Sequence, residues 1–295
     1  MKKVTTMQTT LVEPASSLPL GQKRNKPSKI TAERIISNSS ALVLAAFFAL
    51  PMLWMVLASV DHSASNQLKA PDLTAEHYWV AFQADNLVAL GNSLLISVVA
   101  TVIGTAAAFA AAYVFSKHNI PFKNPLLLTI LFLSGVPISI LIVPVYKMFA
   151  ALGWLSIIPT GILLGVTAIP FQIYQLKNFI DAVPPELEEA AALEQASTLQ
   201  ILFRVVLPLT KPGLASSAIF GFVNAWGNFL MPVVLINSLA NQPAPVHLFG
   251  FMGSNSIDYG AIAAYSIIYS LPVIVLFLGM SRQFKAGFSL GGAVK

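Results

Sequence analysis

Long apolar runs are the feature that most constrains the fold of this chain. Of its 295 residues, 56% are hydrophobic and only 10% are charged, whereas a soluble domain carries about 25% charged residues. Several runs reach the roughly 20 residues that cross the hydrocarbon core of a bilayer. Backbone polar groups inside that core must be satisfied within the chain, so each run is expected to be helical. The sequence therefore predicts an all-α membrane protein.

Six transmembrane helices are predicted, preceded by a polar tail, so the chain has two parts. Residues 1–36 are polar and rich in Ser, Thr and Pro, a composition that predicts a flexible cytoplasmic tail. Residues 37–295 form the predicted six-helix transmembrane domain. The predicted spans lie near residues 38–60, 88–115, 125–149, 156–178, 213–238 and 260–281.

The distribution of basic residues predicts how these spans are oriented. Fifteen of the 17 Lys and Arg residues lie in the tail, the 116–124 turn, the 177–212 loop and the C-terminal end. The opposite side carries only Lys69 and Lys147. Cytoplasmic loops of membrane proteins are enriched in Lys and Arg. We therefore expect a multi-pass protein of the cell (inner or plasma) membrane with both termini in the cytoplasm.

The loop at residues 181–212 holds five of the chain's 12 carboxylates. Pro184-Pro185 predicts a helix start, because proline suits the first helical turn, and glutamates follow where the helix dipole favours them. A second amphipathic segment ends at Leu207-Pro208. The pattern predicts a cytoplasmic helix-turn-helix between spans four and five. Its small alanine surface fits the groove of a partner protein, and its periodicity equally fits an amphipathic loop on lipid headgroups.

Several classes of function are disfavoured by what the sequence lacks. It has no cysteine, no P-loop and no zinc-protease or nucleophile-elbow motif, so we expect neither an enzyme nor a bound cofactor or metal. The basic residues sit in short segments between apolar runs, which argues against nucleic-acid binding. Charged residues are nearly absent from the spans, whereas ion-coupled transporters need them. Energy for any transport would therefore come from another subunit.

The 181–212 loop also carries a resemblance to a known family. Glu189-Ala190-Ala191, then three residues, Gln195, nine residues and Val205-Val206-Leu207-Pro208, resembles the signature loop of permease subunits of binding-protein-dependent ABC importers. Asn92-Ser93, the Ala-Trp-Gly-Asn-Phe-Leu-Met-Pro segment at 225–232 and the C-terminal 287–295 pattern are similar to the carbohydrate branch. Within that branch, the likeness is to the second permease of maltose-type importers.

One position departs from the family pattern. The family usually has glycine where this chain has Gln195, and that glycine permits the bend between the two short helices. A Cβ raises the energy of a left-handed conformation. Gln195 therefore predicts either a bend made without positive φ or a mildly strained one.

The resemblance implies a permease subunit that forms half of the translocation pathway for a carbohydrate. The implied partners are a second homologous permease, an extracytoplasmic sugar-binding protein, membrane lipid and a cytoplasmic ATPase dimer, which would hydrolyse the ATP. The first short helix of the loop would seat in a cleft of the ATPase, with Glu189 paired to a basic residue there. The implied ATPase-coupling residues are Glu189, Ala190, Ala191, Glu194, Gln195, Ala196, Leu207 and Pro208.

Four residues are candidates to line a sugar path through hydrogen bonding and ring stacking: Trp226, Asn228, Tyr265 and Tyr269. Trp and Tyr at these positions fit membrane-interface anchors equally well. The alternatives for function are an importer for another solute, such as glycerol phosphate or a peptide, and a non-transport membrane scaffold. The scarcity of basic residues inside the spans favours a neutral sugar over a phosphate.

Overall fold

A computed structural model of the chain describes the backbone of residues 29–67, 69–253 and 257–291, and side chains within residues 36–280. The described residues contain helices and two isolated β-bridges but no β-strand. Most of the predicted tail and the 287–295 pattern lie outside the described side chains. Contacts between Cα atoms group the chain into two compact units, residues 1–51 and 52–295.

The longest connection between consecutive helices is the 60–75 loop that joins α1 to α2. They are α1 (Lys29–Ser59), α2 (Glu76–Ala81), α3 (Ala84–Lys117), α4 (Lys123–Ser134), α5 (Ile142–Leu152), α6 (Ile157–Asp181), α7 (Pro185–Leu193), α8 (Thr198–Ile201), α9 (Leu207–Leu209), α10 (Lys211–Trp226), α11 (Leu230–Leu235), α12 (Ala244–Phe249) and α13 (Tyr259–Gly291). Within the described part, four helical segments are long and apolar enough to cross a membrane: 36–59, 84–117, 157–181 and 259–280. Two bent helix pairs raise the number of candidate spans to as many as six.

The third predicted span, 125–149, is not one continuous helix. α4 ends at Ser134, a 3₁₀ turn covers Ile138–Leu141, and α5 then continues at an angle of 74° to α4. Pro137 lies at the break. Proline lacks the N–H that a helix interior requires, and its ring clashes with the preceding turn, which explains the interruption.

The fifth predicted span, 213–238, is also interrupted. α10 ends at Trp226 after 16 residues, a rise of about 24 Å against a hydrocarbon core of about 30 Å. The chain breaks at Gly227 before α11 begins at Leu230. Apolar residues lie on both sides of this break, so hydropathy alone did not reveal it. α10 also belongs to the second bent pair. It lies at 83° to the 198–209 helical segment, which precedes it in the polar loop.

Close packing of α3 on α6 forms the centre of the second unit. A Cβ placed on Gly104 would lie 2.7 Å from the carbonyl oxygen of Gly165, and one on Gly165 would lie 2.6 Å from the carbonyl oxygen of Ala100. Helices in lipid approach this closely only where small residues face each other. The glycines therefore set the spacing between the two helices.

A buried amide links α6 to both of its neighbours. Gln172 of α6 is fully buried, and its Nε2 donates to Thr105 Oγ1 of α3 at 3.2 Å and to the Ser217 carbonyl of α10 at 2.9 Å. Buried polar groups require such partners because desolvation without them is costly. The contact fixes α3, α6 and α10 as one bundle.

The loop after α1 is closed by a buried carboxylate. Asp61 accepts hydrogen bonds from the amides of Asp72 at 3.0 Å and Ser63 at 3.3 Å, and Lys69 Nζ lies 3.3 Å from its Oδ2. The Asp72 amide, aided by Ser63 and Lys69, holds the pKa of Asp61 below its usual value, although burial acts in the opposite direction. The next helix, α2, begins at Glu76, shortly after this loop.

Candidate functional site

Helix α7, in the polar loop, has one face against the protein and one face exposed. Ala191 is partly buried and packs against the core formed by α3, α6 and the 201–206 segment. Glu189, Ala190 and Glu194 are exposed, and Leu193 is 86% exposed. We call Glu189, Ala190, Leu193 and Glu194 the docking face.

The end of α7 is a Schellman motif. The Ala196 N–H donates to the Ala191 carbonyl at 3.1 Å, and the Gln195 N–H donates to the Ala192 carbonyl at 3.0 Å. Gln195 occupies the position that glycine usually takes, with a φ of 60°. The bend is therefore made with positive φ, in a region where a Cβ costs about 1–2 kcal/mol.

A capping box starts the next helix. The Ser197 N–H donates to Gln200 Oε1 at 2.8 Å, and the Gln200 N–H donates to Ser197 Oγ at 3.4 Å. The Ser-x-x-Gln spacing is a sequence signal for this motif, so it was readable before the structure. A π-helical turn at Leu202–Val206 follows α8, and the chain then bends by 83° into α10.

The predicted ATPase-coupling residues do not share one surface. Five are exposed: Glu189, Ala190, Glu194, Gln195 and Pro208. Three are partly buried against the core of this chain: Ala191, Ala196 and Leu207. The exposed group remains available to a partner, and its contact with an ATPase stays a prediction.

Sequence reasoning missed how α7 is held to the rest of the chain. Lys117, the last residue of α3, places its Nζ 2.7 Å from Glu188 Oε1. The Tyr113 hydroxyl donates to Glu188 Oε2 at 3.4 Å. Both partners are far from α7 in sequence, so local spacing carried no signal for this contact.

The predicted substrate-path residues are engaged in internal contacts. Trp226 and Tyr269 stack with ring centroids 5.0 Å apart, and each donates a side-chain hydrogen bond to the backbone carbonyl of the other. Tyr265 is fully buried and donates to the Asn86 carbonyl at 3.0 Å. Asn228 Oδ1 accepts from the Met231 N–H at 3.0 Å and so caps α11. Their role as sugar contacts stays a prediction.

A cavity of about 500 Å³ opens beside the break between α4 and α5. We call it the Pro137 cavity. Its floor includes Phe171 of α6 and Phe220 of α10, whose ring centroids are 4.3 Å apart. Asn224 also lines it, is exposed, and makes no side-chain hydrogen bond within the described residues. The remaining lining residues are Leu133, Ser134, Val136, Pro137, Ile138, Leu141, Thr167, Ala168 and Pro170.

Residues 100–286 match the family described as binding-protein-dependent transport system inner membrane component. The match covers more than half of the chain and includes both the polar loop and the Pro137 cavity. The chain belongs to this family. It is a multi-pass membrane protein and a transport subunit.

Two relatives are permease proteins of named uptake or transport systems. The diacetylchitobiose uptake system permease protein DasC of Streptomyces coelicolor is 29% identical over 269 residues, covering 89% of this chain and 97% of that protein. The trehalose transport system permease protein SugB of Mycobacterium tuberculosis is 33% identical, covering 83% of this chain and 92% of that protein. Both relatives are permease subunits of sugar uptake systems.

A solved structure has the same fold as this permease. It is a bacterial ABC transporter involved in the import of the acidic polysaccharide alginate, with a TM-score of 0.71 and 22% identity. The alignment covers 88% of this chain and 99% of that chain.

Among the described residues of the permease, no group of three His, Asp or Glu side chains is placed to hold a metal ion.

Proposed function

We propose that this permease forms half of the translocation pathway of an ABC importer for a carbohydrate. The observation that carries the proposal is its family membership together with relatives named for diacetylchitobiose and trehalose uptake. A second homologous permease would supply the other half of the pathway. An extracytoplasmic binding protein would deliver the sugar, and a cytoplasmic ATPase dimer would hydrolyse ATP.

The docking face of α7 is the proposed contact with the ATPase. Its two carboxylates and one exposed leucine would fit an apolar groove with basic residues at the rim, because helix-in-groove contacts combine apolar anchors with a polar border. Glu189 would pair with one of those basic residues. Closure of the ATPase dimer would then displace α7, and the membrane helices would change from inward-facing to outward-facing.

The topology that we propose counts α4 with α5 as the third span and α10 with α11 as the fifth. This gives six spans, with both termini and the α7 loop in the cytoplasm. The excess of Lys and Arg on that side supports the orientation. Each break lies at a proline or glycine inside the membrane, where neighbouring helices can satisfy the freed backbone groups.

The Pro137 cavity is the proposed sugar-contact region of this subunit. Its volume lies within the range of small-molecule sites, about 300–1,000 Å³. Phenyl rings and a free amide can together stack on and hydrogen-bond to a sugar. No Lys or Arg lines the cavity, which disfavours glycerol phosphate as the substrate. A peptide importer remains the alternative, and transport assays must distinguish it from a sugar importer.

The broad test is reconstitution of the complete complex in proteoliposomes. Uptake of a labelled disaccharide should require ATP, the binding protein, both permeases and the ATPase. Uptake by this chain alone, or uptake of peptides but not of sugars, would contradict the proposal.

The sharper test compares two asparagines. Asn224→Leu should raise the KM for sugar about tenfold, the effect of roughly 1.4 kcal/mol of lost binding, without a change in thermal stability. Asn228→Leu should lower stability, because it removes the cap of α11. If only Asn228→Leu raises the KM, the sugar path follows the residues that the sequence predicted instead of the Pro137 cavity.

A further inference from the structure

The inner face of α7 is joined to α3 by a shielded ion pair. Lys117 Nζ and Glu188 Oε1 are 2.7 Å apart, and their side chains are only 19% and 14% exposed. Tyr113 donates to the second carboxylate oxygen, and Lys117 Nζ also reaches the Val183 carbonyl at 3.4 Å. Charges this shielded interact more strongly than exposed ones, because water screens them less. Separating them would leave each charge without a partner in a poorly solvated place.

A second pair nearby shows what distinguishes this contact. Lys177 forms an ion pair with Asp181, and its side chain is 17% exposed, close to the 19% of Lys117. That pair lies four residues apart within α6. Asp181 also accepts a hydrogen bond from Ser116 Oγ of α3 at 2.6 Å, so the pair joins α6 to α3 and not to α7. Among the ion pairs of the described residues, Lys117–Glu188 is the pair that joins a membrane helix to α7, which we call the docking helix.

The other end of α3 holds a different loop. Asn92 Nδ2 donates to the carbonyls of Ala240 at 3.0 Å and Gln242 at 3.1 Å. The Ala244 N–H donates to Ser93 Oγ at 2.8 Å. The 34 residues of α3 span about 51 Å, so this single helix contacts the docking helix at one end and the 239–244 loop at the other.

We propose that the Lys117–Glu188 pair is a latch that makes α7 and α3 move as one body. Displacement of α7 would then pass along α3 to the 239–244 loop on the opposite side of the membrane. Lys117 and Glu188 are positioning residues, since they touch neither the sugar nor ATP. The inference rests on the proposed function, because it takes α7 as the helix that the ATPase moves.

The first experiment measures sugar uptake per ATP hydrolysed in the reconstituted complex. Glu188→Gln and Lys117→Gln should each lower this ratio about tenfold, within the usual range of coupling effects, while the ATPase still co-purifies. Exchange of the charges in Glu188→Lys with Lys117→Glu should restore much of the ratio. Lys177→Gln, which removes a lysine of similar burial, should leave the ratio near that of the wild type.

A second experiment replaces the ion pair by a covalent link. The chain has no cysteine, so cysteines introduced at 117 and 188 can be joined selectively by a bifunctional thiol reagent. The double-cysteine variant lacks the ion pair and should show the lowered ratio of uptake to ATP hydrolysis. Cross-linking should raise this ratio toward that of the wild type, because the covalent link again holds the two helices together. A ratio that does not rise on cross-linking, with each single-cysteine variant unaffected by the reagent, would overturn the latch.

The two proposals fail in different ways. If the ATPase does not associate with the wild-type permease, the proposed function fails. If it associates, and both neutralised variants couple uptake to ATP hydrolysis as the wild type does, only the latch fails.

Discussion

Gln195 holds a backbone conformation that glycine would adopt at lower energy. Its φ of 60° lets Ala196 donate back to Ala191, which closes α7 and directs the chain toward α8. The two hydrogen bonds of the Schellman motif offset part of the cost of the Cβ. The angle between the docking helix and the next segment therefore depends on a strained residue.

Gln195→Gly should stabilise the permease by roughly 0.5–1 kcal/mol. Relief of about 1–2 kcal/mol at positive φ exceeds the added entropy of the unfolded chain, about 0.4–1 kcal/mol. Thermal unfolding of the purified complex measures the change in Tm. The matched control is Glu194→Gly, which should lower the Tm because Glu194 has a φ of −75°. A lower Tm for Gln195→Gly would contradict the positive φ at this position.

Glu189→Lys should abolish sugar uptake and the coupling of ATP hydrolysis to transport. The substitution places a positive charge on the docking face where we propose that a basic residue of the ATPase lies, and like charges in an interface are costly. Membrane insertion and association with the second permease should be unchanged, because Glu189 is exposed. Normal uptake by this variant would remove Glu189 from the coupling contact.

The sequence predicted which residues of the docking face are exposed, but it did not predict the contacts that hold α7 to the rest of the chain. Glu189 and Ala190 lie on the exposed face of a helix whose start at Pro185 was readable from local chemistry. Glu188 is the residue next to Glu189, yet its side chain pairs with Lys117 of α3, a helix far away in the sequence. Local spacing gives the faces of a helix but not what packs against them.

At the scale of elements, the α3–α6 contact controls how the bundle packs. Gly104 and Gly165 bring the two backbones together, and Gln172 fastens α6 to α3 and α10. In lipid there is little hydrophobic force between helices, so such packing and hydrogen bonding supply much of the association. The interface should therefore be sensitive to single methyl groups.

Gly104→Ala should destabilise the permease by about 1–3 kcal/mol, the usual cost of overpacking. The added Cβ would lie 2.7 Å from the Gly165 carbonyl oxygen, so the helices must move apart. Gly91→Ala on the same helix is the control, since a Cβ there meets nothing within 4 Å. Thermal unfolding in detergent should separate the two variants. Equal Tm values would show that the α3–α6 spacing is not set by Gly104.

Apolar composition predicted the helices but not where they break. Periodicity and length identify a stretch that fits the membrane, and Pro137 explains the angle between α4 and α5 once their directions are known. At Gly227 the interruption depends on Asn228 capping a new helix, which hydropathy cannot register. The Pro137 cavity arises at such a break and from residues of three helices, so the sequence did not reveal it.

At the scale of the whole molecule, the permease has two surfaces that a partner could contact, on opposite sides of the proposed membrane. The docking face carries Leu193, and the far loop carries Leu239, which is 79% exposed. α3 reaches both regions through Lys117 and Asn92. An importer needs such a connection, because a binding protein and an ATPase act on opposite sides of one membrane.

The proposed topology predicts which of these two leucines is accessible from outside the cell. The chain lacks cysteine, so Leu193→Cys and Leu239→Cys each introduce a single thiol. In intact cells, a membrane-impermeant maleimide should label Leu239→Cys and not Leu193→Cys, and both should be labelled after permeabilisation. Co-expression of the ATPase should then slow labelling of Leu193→Cys alone, because the docking face would be covered. Labelling of Leu193→Cys in intact cells would invert the topology, and labelling unaffected by the ATPase would place its contact elsewhere.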